Sequence, residues 1–380
     1  MHAPCLRRGL VRGILSRWPG ARRPLTLFDT ARAEGRPLCV AAPMVRYSKL
    51  AFRETVARYG VDLVWTPMIL AKEFNRSSLA RDSDFTLSTS PTPTIAQLGV
   101  NSPLEIYRST LMLAPYVNGI DINCGCPQSW ACAETLGAAL MHHPELVCQM
   151  IDSAKSALLS LGLQHQKSIS VKIRIHSNIQ QTLDFVQRVE DAGVDFITVH
   201  GRTRRTPSSQ PVNLDAIRRV KVQARVPVLG NGDVFTRADV DRIVRETGVD
   251  GVMSARGLLE EPGFFAAPSV HVAPPKPRPR QPAAADASPG AVESGANPDT
   301  SVVHRTGDDR WAVLTHFVNA VVRAPIPFKL VVHHLSEMGG SDRERKGALF
   351  TKEQKRELME CKSMLELLDW LDGVGEVRRL

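Results

Sequence analysis

The chain has no run of 18 apolar residues, which excludes a membrane-spanning helix, so no membrane partner is expected. It has no G-x-G-x-x-G after its first predicted strand, which argues against a Rossmann domain. No disulfide framework is visible either. The seven cysteines (Cys5, Cys39, Cys124, Cys126, Cys132, Cys148 and Cys361) are odd in number and irregularly placed, so free thiols in a reducing compartment are the simpler expectation. The C-x-C at Cys124 and Cys126, with Cys132 beyond, matches no common zinc or iron–sulfur spacing, and no metal is expected. Acidic residues are missing from residues 1–28, which carry six arginines, so most of the +9 net charge lies there and the remainder sums to only +3. Global charge is therefore a weak argument for nucleic-acid binding, and arginines near a site must carry it.

What is present is a repeating pattern. Short apolar, β-branched runs recur at Leu38–Ala42, Asp62–Thr66, Thr94–Leu98, Gly119–Asn123, Ser170–Arg174, Phe196–His200, Pro227–Gly230 and Gly251–Ser254. Helical periodicity fills the intervals, at Leu50–Tyr59, Pro103–Ala114, Glu145–Leu159, Thr182–Ala192, Leu214–Val222 and Ala238–Glu246. Eight β-then-α units predict a parallel (β/α)8 TIM barrel over residues 36–267. Residues 1–35 form a basic N-terminal extension; its arginines and interleaved apolar residues resemble a mitochondrial presequence. The cytoplasm is the expected compartment, with a mitochondrial destination left open. Residues 268–306 are rich in proline and alanine and are expected to be a disordered linker, because they cannot bury enough apolar area to offset chain entropy. Apolar periodicity returns over 307–380, which reads as a small helical domain whose basic and acidic residues balance. An RNA surface there would need arrangement rather than charge excess, with Arg323, Lys329, His333 and His334 as its residues, or else these histidines sit on an ordinary helix face.

Almost every predicted strand runs out into a polar residue or a Gly/Pro turn. This is how a TIM barrel assembles an active site at one face. The first strand leads into Pro43-Met44-Val45, the third ends at Gln97, and the fourth ends at Asn123 with Cys126 just beyond. On the fifth strand Lys172 and Arg174 alternate with apolar residues and so share one side. The sixth ends at His200-Gly201-Arg202, the seventh at Asn231-Gly232-Asp233, and the eighth at Ala255-Arg256-Gly257. The last two turns fit a phosphate cradle, since their glycines allow close backbone approach and Arg256 adds charge.

In order and spacing these motifs resemble the tRNA-dihydrouridine synthases over about residues 36–266, and Ala41–Arg53 and Asp121–Gln128 resemble the eukaryotic branch that modifies positions 20a and 20b of the D-loop. The resemblance implies FMN at the barrel mouth, NADPH or NADH as reductant, tRNA as substrate partner, and a monomer. It implies that Pro43, Met44 and Val45 lie against the flavin, that Gln97, Lys172 and His200 contact it, and that Asn231, Gly232, Asp233, Ala255 and Arg256 hold its phosphate. Asn123 is then expected to face the substrate base, with Arg174 and Arg202, helped by Arg204 and Arg205, on the RNA. Cys126 becomes the general acid, protonating uracil C5 as hydride from flavin N5 reaches C6. Two other readings stay open: a barrel flavoprotein acting on a free pyrimidine or enone, and a catalytically idle RNA-binding protein.

Overall fold

The structure, a computed structural model, describes residues 23–88, 92–266, 310–338 and 349–374. The proline-rich segment expected over 268–306 lies outside these residues, as do residues 1–22 with the presequence-like pattern.

Nine parallel strands follow the chain: β1 Leu38–Ala41, β2 Leu63–Trp65, β3 Ile69–Leu70, β4 Thr94–Gly99, β5 Gly119–Cys124, β6 Ser168–Arg174, β7 Phe196–His200, β8 Val228–Asn231 and β9 Gly251–Ser254. β1 pairs with both β2 and β9, and β2 pairs with β4, so eight strands close a barrel and the two-residue β3 rides on β4. The TIM barrel expected from the alternating pattern is the fold present. Helices after the strands start and stop at sequence signals. Ser102 caps Pro103–Leu113, a Thr236/Asp239 capping box opens Arg237–Thr247, and left-handed Gly162 and Gly248 end their helices.

The barrel interior has two layers with opposite chemistry. One is apolar, built from Leu38, Val40, Leu63, Trp65, Ile95, Phe196, Leu229 and Met253. Helix Pro24–Ala33 packs Leu27, Phe28 and Ala31 into this layer, with Phe28 and Phe196 ring centroids 5.4 Å apart. That helix falls within the stretch read from sequence as basic extension. Its buried face is apolar, while Arg32 is exposed, so residues 24–33 pack with the barrel. The second layer, toward the C-terminal ends of the strands, is polar: Gln97, Asp121, Asn123, Ser170, Lys172, Thr198 and His200. In register, Gln97 sits beside Asp121, Asn123 beside Lys172, and Lys172 beside Thr198.

Among the described residues four helices follow the barrel: Arg310–Arg323, Phe328–Met338, Lys352–Glu360 and Met364–Val374. The first packs on the barrel helix Leu50–Ala57, and Leu314, Phe317 and Val318 share one continuous core with Phe52 and Val56. His334 is fully buried against Tyr47, Phe52 and Phe317, and burial lowers its pKa to about 3. It is thus a neutral core residue, and the RNA-facing alternative for it does not hold.

Candidate active site

The strand ends converge on one rim. β1 delivers Pro43-Met44-Val45 in a loop pinned from beneath. Ser48 Oγ donates to Ala42 O at 2.8 Å and accepts from the Met44 N–H at 3.0 Å, while buried Arg53 donates to Ser48 O at 2.7 Å. Arg46 adopts a left-handed φ of 71°, which closes the loop and leaves Val45 49% exposed.

Across the barrel, β4, β5 and β6 supply a hydrogen-bonded hub. Gln97 Nε2 donates to Asp121 at 2.8 Å, and Asn123 Nδ2 donates to Gln97 Oε1 at 2.8 Å. Asn123 Oδ1 in turn accepts the N–H groups of Gly125 and Cys126, both at 2.9 Å, as an Asx turn. Asn123 is thus first an organiser of the cysteine loop, with its second amide hydrogen left for a ligand. The Cys126 backbone is also gripped from the following segment. Ala138 N–H donates to Cys126 O at 2.9 Å, and Gly137, at φ 61°, lies so close that a Cβ would stand 2.6 Å from that oxygen. Burial raises the Cys126 thiol pKa, so the group is protonated at neutral pH. Cys124, the alternate residue, is fully buried in the shell between strands and helices.

Lys172 follows on β6. Burial, then Arg174, lower its pKa to about 8, against the attraction of Asp121. Among the described residues no side chain or carbonyl hydrogen-bonds its ammonium, and the neighbouring Thr198 hydroxyl is also buried without a partner. Polar groups left unsatisfied inside a barrel mouth are what a ligand with a polar edge completes.

The β7–β9 side is different, because its charges satisfy one another. Arg202 is almost wholly buried; it donates to Asp233 at 2.6 Å and to Gln210 O, and its Nη1 donates to His200 Nε2 at 3.2 Å. The Arg202 guanidinium, expected to contact the substrate, is thus held by protein partners and almost wholly buried. Burial, and then the cations Lys172, Arg174, Arg202 and Arg256, lower the His200 pKa to about 2, so the ring is neutral. With Nε2 accepting, the proton sits on Nδ1. Asn231 is buried and donates to Met253 O at 2.8 Å, bridging β8 and β9. Gly232 at φ 126° and Asp233 at φ 52° turn the backbone there, and Arg256 reaches Asp233 at 3.3 Å and lies over Phe235. At Gly257 a Cβ would meet Val234 O at 2.2 Å, so the turn after Ala255 admits only glycine. The carboxylate of Asp233 faces Arg202 and Arg256, so its charge is taken up within the turn. Arg174 donates to Gly125 O and Thr203 O, both at 2.8 Å, and remains half-buried, while Arg204 and Arg205 are exposed.

The rim thus brings together Cys126, Asn123, Gln97, Lys172, Arg174 and His200, with the Pro43-Met44-Val45 loop and the Gly232 and Gly257 turns around them. Sequence reasoning missed Asp121, Ser170, Ser48 and Gly137. Asp121 was findable, since it lies two residues before Asn123 and so shares its inward face.

A closed β/α barrel that gathers a held thiol and an ammonium with no hydrogen-bond partner among the described residues on its C-terminal rim is the arrangement of an enzyme scaffold. The family described as dihydrouridine synthase (Dus) matches residues 40–296, and the chain belongs to that family. It is 36% identical over 361 residues to the tRNA-dihydrouridine(20a/20b) synthase [NAD(P)+] of Saccharomyces cerevisiae, covering 94% of this chain and 85% of the yeast protein. To the Schizosaccharomyces pombe protein of the same name it is 37% identical over 356 residues, 94% of this chain and 93% of that one. The human tRNA-dihydrouridine(20a/20b) synthase [NAD(P)+]-like protein is 45% identical over 243 residues, 64% of this chain and 74% of the human one. Among the described residues no helix is long and apolar enough to cross a membrane, and no cluster of ligating side chains could hold a metal.

Proposed function

We propose that this chain reduces uridine to 5,6-dihydrouridine in the D-loop of tRNA, at positions 20a and 20b, with FMN in the barrel mouth and NADPH or NADH as the reductant. The observation that carries the reading is the convergence of a protonated Cys126 thiol and the unpaired Lys172 ammonium on one rim, above the Gln97–Asn123 hub. FMN fits the residues present: Lys172, Gln97 and the Nδ1–H of His200 offer donors to a polar edge, the Pro43-Met44-Val45 loop offers an apolar floor, and the N–H groups around Gly232 and Arg256 suit a phosphate. Held there by these residues, FMN would supply two-electron hydride chemistry, with NAD(P)H as the source of reducing equivalents.

The chain's own residues do the rest. Cys126 holds a proton and gives it to uracil C5; a thiol whose pKa is raised by burial keeps that proton until the carbon becomes basic. Asn123 fixes the thiol through two backbone hydrogen bonds and keeps one amide hydrogen for the base. Lys172 and Arg174 make the mouth electropositive, which favours an anionic ligand edge and RNA phosphate. Reaching a base inside folded RNA requires flipping it out, at a cost of a few kcal/mol that stacking and phosphate contacts offset. The exposed Arg204 and Arg205 are placed for the latter.

The test is direct. Purified protein should carry a yellow cofactor identified as FMN and convert uridine to dihydrouridine in tRNA when given NADPH. Turnover of free uridine with none on tRNA would favour a small-molecule flavoprotein instead, and a colourless protein that binds tRNA without changing it would leave only RNA binding. Mapping dihydrouridine across the tRNAs of cells lacking the protein identifies which positions it serves.

A further inference from the structure

The hub under Cys126 ends in a carboxylate to which no role has yet been given. We propose that Asp121 is a positioning residue that sets the place of the Cys126 thiol by fixing the amide orientations of Gln97 and Asn123. The proposal rests on the reading of Cys126 as proton donor and adds the device that holds it.

Donor and acceptor parity sets the direction of every amide in the hub. Asp121 is completely buried on β5; one carboxylate oxygen accepts from Ser170 Oγ at 2.6 Å and the other from Gln97 Nε2 at 2.8 Å. A carboxylate offers only acceptors, so it compels Gln97 to turn its NH2 group inward and its oxygen toward β5. That oxygen then admits only the NH2 end of Asn123, which leaves Asn123 Oδ1 pointing at the loop. There two N–H groups, of Gly125 and Cys126, require an acceptor. Reverse the first amide and the sequence fails: Gln97 would present NH2 to Asn123, Asn123 would rotate its own NH2 toward two backbone donors, and the Asx turn would open. The two loop N–H groups demand the same polarity from the far end, and Asp121 anchors it from the strand side, since the Gln97 backbone N–H goes to Thr66 Oγ1 and constrains the strand rather than the amide. Burial raises the Asp121 pKa to about 6, which still leaves it ionised, and so acceptor-only, at neutral pH.

The test compares Asp121→Leu, which removes the acceptors while keeping the branched shape, with Asp121→Asn, which keeps one and lets Ser170 accept the new NH2. Expected for Asp121→Leu is a loss of about 100-fold in kcat on tRNA with KM for tRNA unchanged, the scale of a thiol displaced by about an ångström. Asp121→Asn should recover to within about threefold of the original rate, because the polarity of the chain survives. A readout independent of turnover is the alkylation rate of Cys126 by iodoacetamide, followed peptide by peptide by mass spectrometry. It should rise several-fold in Asp121→Leu and stay near the original in Asp121→Asn. Because the proposed action passes through Asn123, Asp121→Leu should add nothing in an Asn123→Ala background. Additive losses, or unchanged alkylation in Asp121→Leu, overturn the proposal. If Asp121→Leu does not fold, equal turnover and alkylation losses in Asp121→Asn and Ser170→Ala, with no dependence on Asn123, overturn it as well. A wild-type protein that makes no dihydrouridine would instead overturn the proposed function, and the alkylation comparison would still decide the role of Asp121.

Discussion

The two halves of the barrel rim solve opposite problems. On the β4–β6 side the polar groups form a directed chain that ends in a half-exposed thiol and an ammonium without a partner. On the β7–β9 side Arg202, Asp233, His200 and Arg256 bind one another, and what faces outward is backbone and a single arginine edge. On the proposed reading, the first half keeps its polar groups for the reaction and the second balances its own charges around a turn of fixed shape.

The largest expected effect separates the halves outright. Cys126→Ala should lower dihydrouridine formation by at least about 100-fold while FMN content and NADPH oxidation stay near the original values, because nothing on the anchoring side is touched. Undiminished product in a tRNA assay would place the proton donor elsewhere.

Next comes the reverse experiment on the anchoring half. Asp233→Ala leaves the Arg202 guanidinium, only 2% exposed, without its counter-charge, and should cost about 3 kcal/mol in denaturant unfolding along with retained flavin. A smaller loss, below about 1 kcal/mol, would show that Gln210 O and Ser208 O suffice for Arg202.

Gly137→Ala sharpens the comparison from the chemical side. The position combines a φ of 61° with a backbone contact to Cys126, so about 1–2 kcal/mol of stability and roughly tenfold in turnover should be lost together. Gly162→Ala is the control, with φ 70° and nothing within 4 Å of the added methyl. It should lose stability alone. Equal turnover for both variants would mean that the grip on Cys126 is unimportant.

The smallest effect concerns pH. Lys172 has its pKa lowered to about 8, so its positive charge is present below that value and lost above it. FMN retention should fall about tenfold between pH 7 and 9, and Lys172→Met should flatten that dependence. The sign for folding is opposite. Burying the charged form is unfavourable, so this penalty is present below about pH 8 and fades as pH rises through it. His200, neutral throughout, should contribute no inflection.

Much of this was readable in the chain. The eight barrel strands lie where apolar runs and β-branching placed them, and the rim residues were findable because polar groups at successive strand ends break an otherwise apolar period. What stayed hidden depended on partners distant in sequence. Arg202 looked like a substrate arginine because its commitment to Asp233, 31 residues on, is a property of the fold. Helix Pro24–Ala33 was masked by the arginine-rich stretch that precedes it, and Gly137 by a contact that only the folded loop creates. The direction of each amide in the hub was beyond any pattern of residue types, since Gln and Asn read the same in either orientation.

His334 has one more implication. By wedging between Tyr47, Phe52 and Phe317 it knits barrel and following helices into a common interior, with Tyr47 just past the Val45 loop. Severing the peptide chain anywhere between positions 266 and 310 should therefore yield two fragments that stay bound and co-elute on gel filtration, still yellow. Barrel and helices would then keep one fixed relative placement, set by packing rather than by the intervening chain.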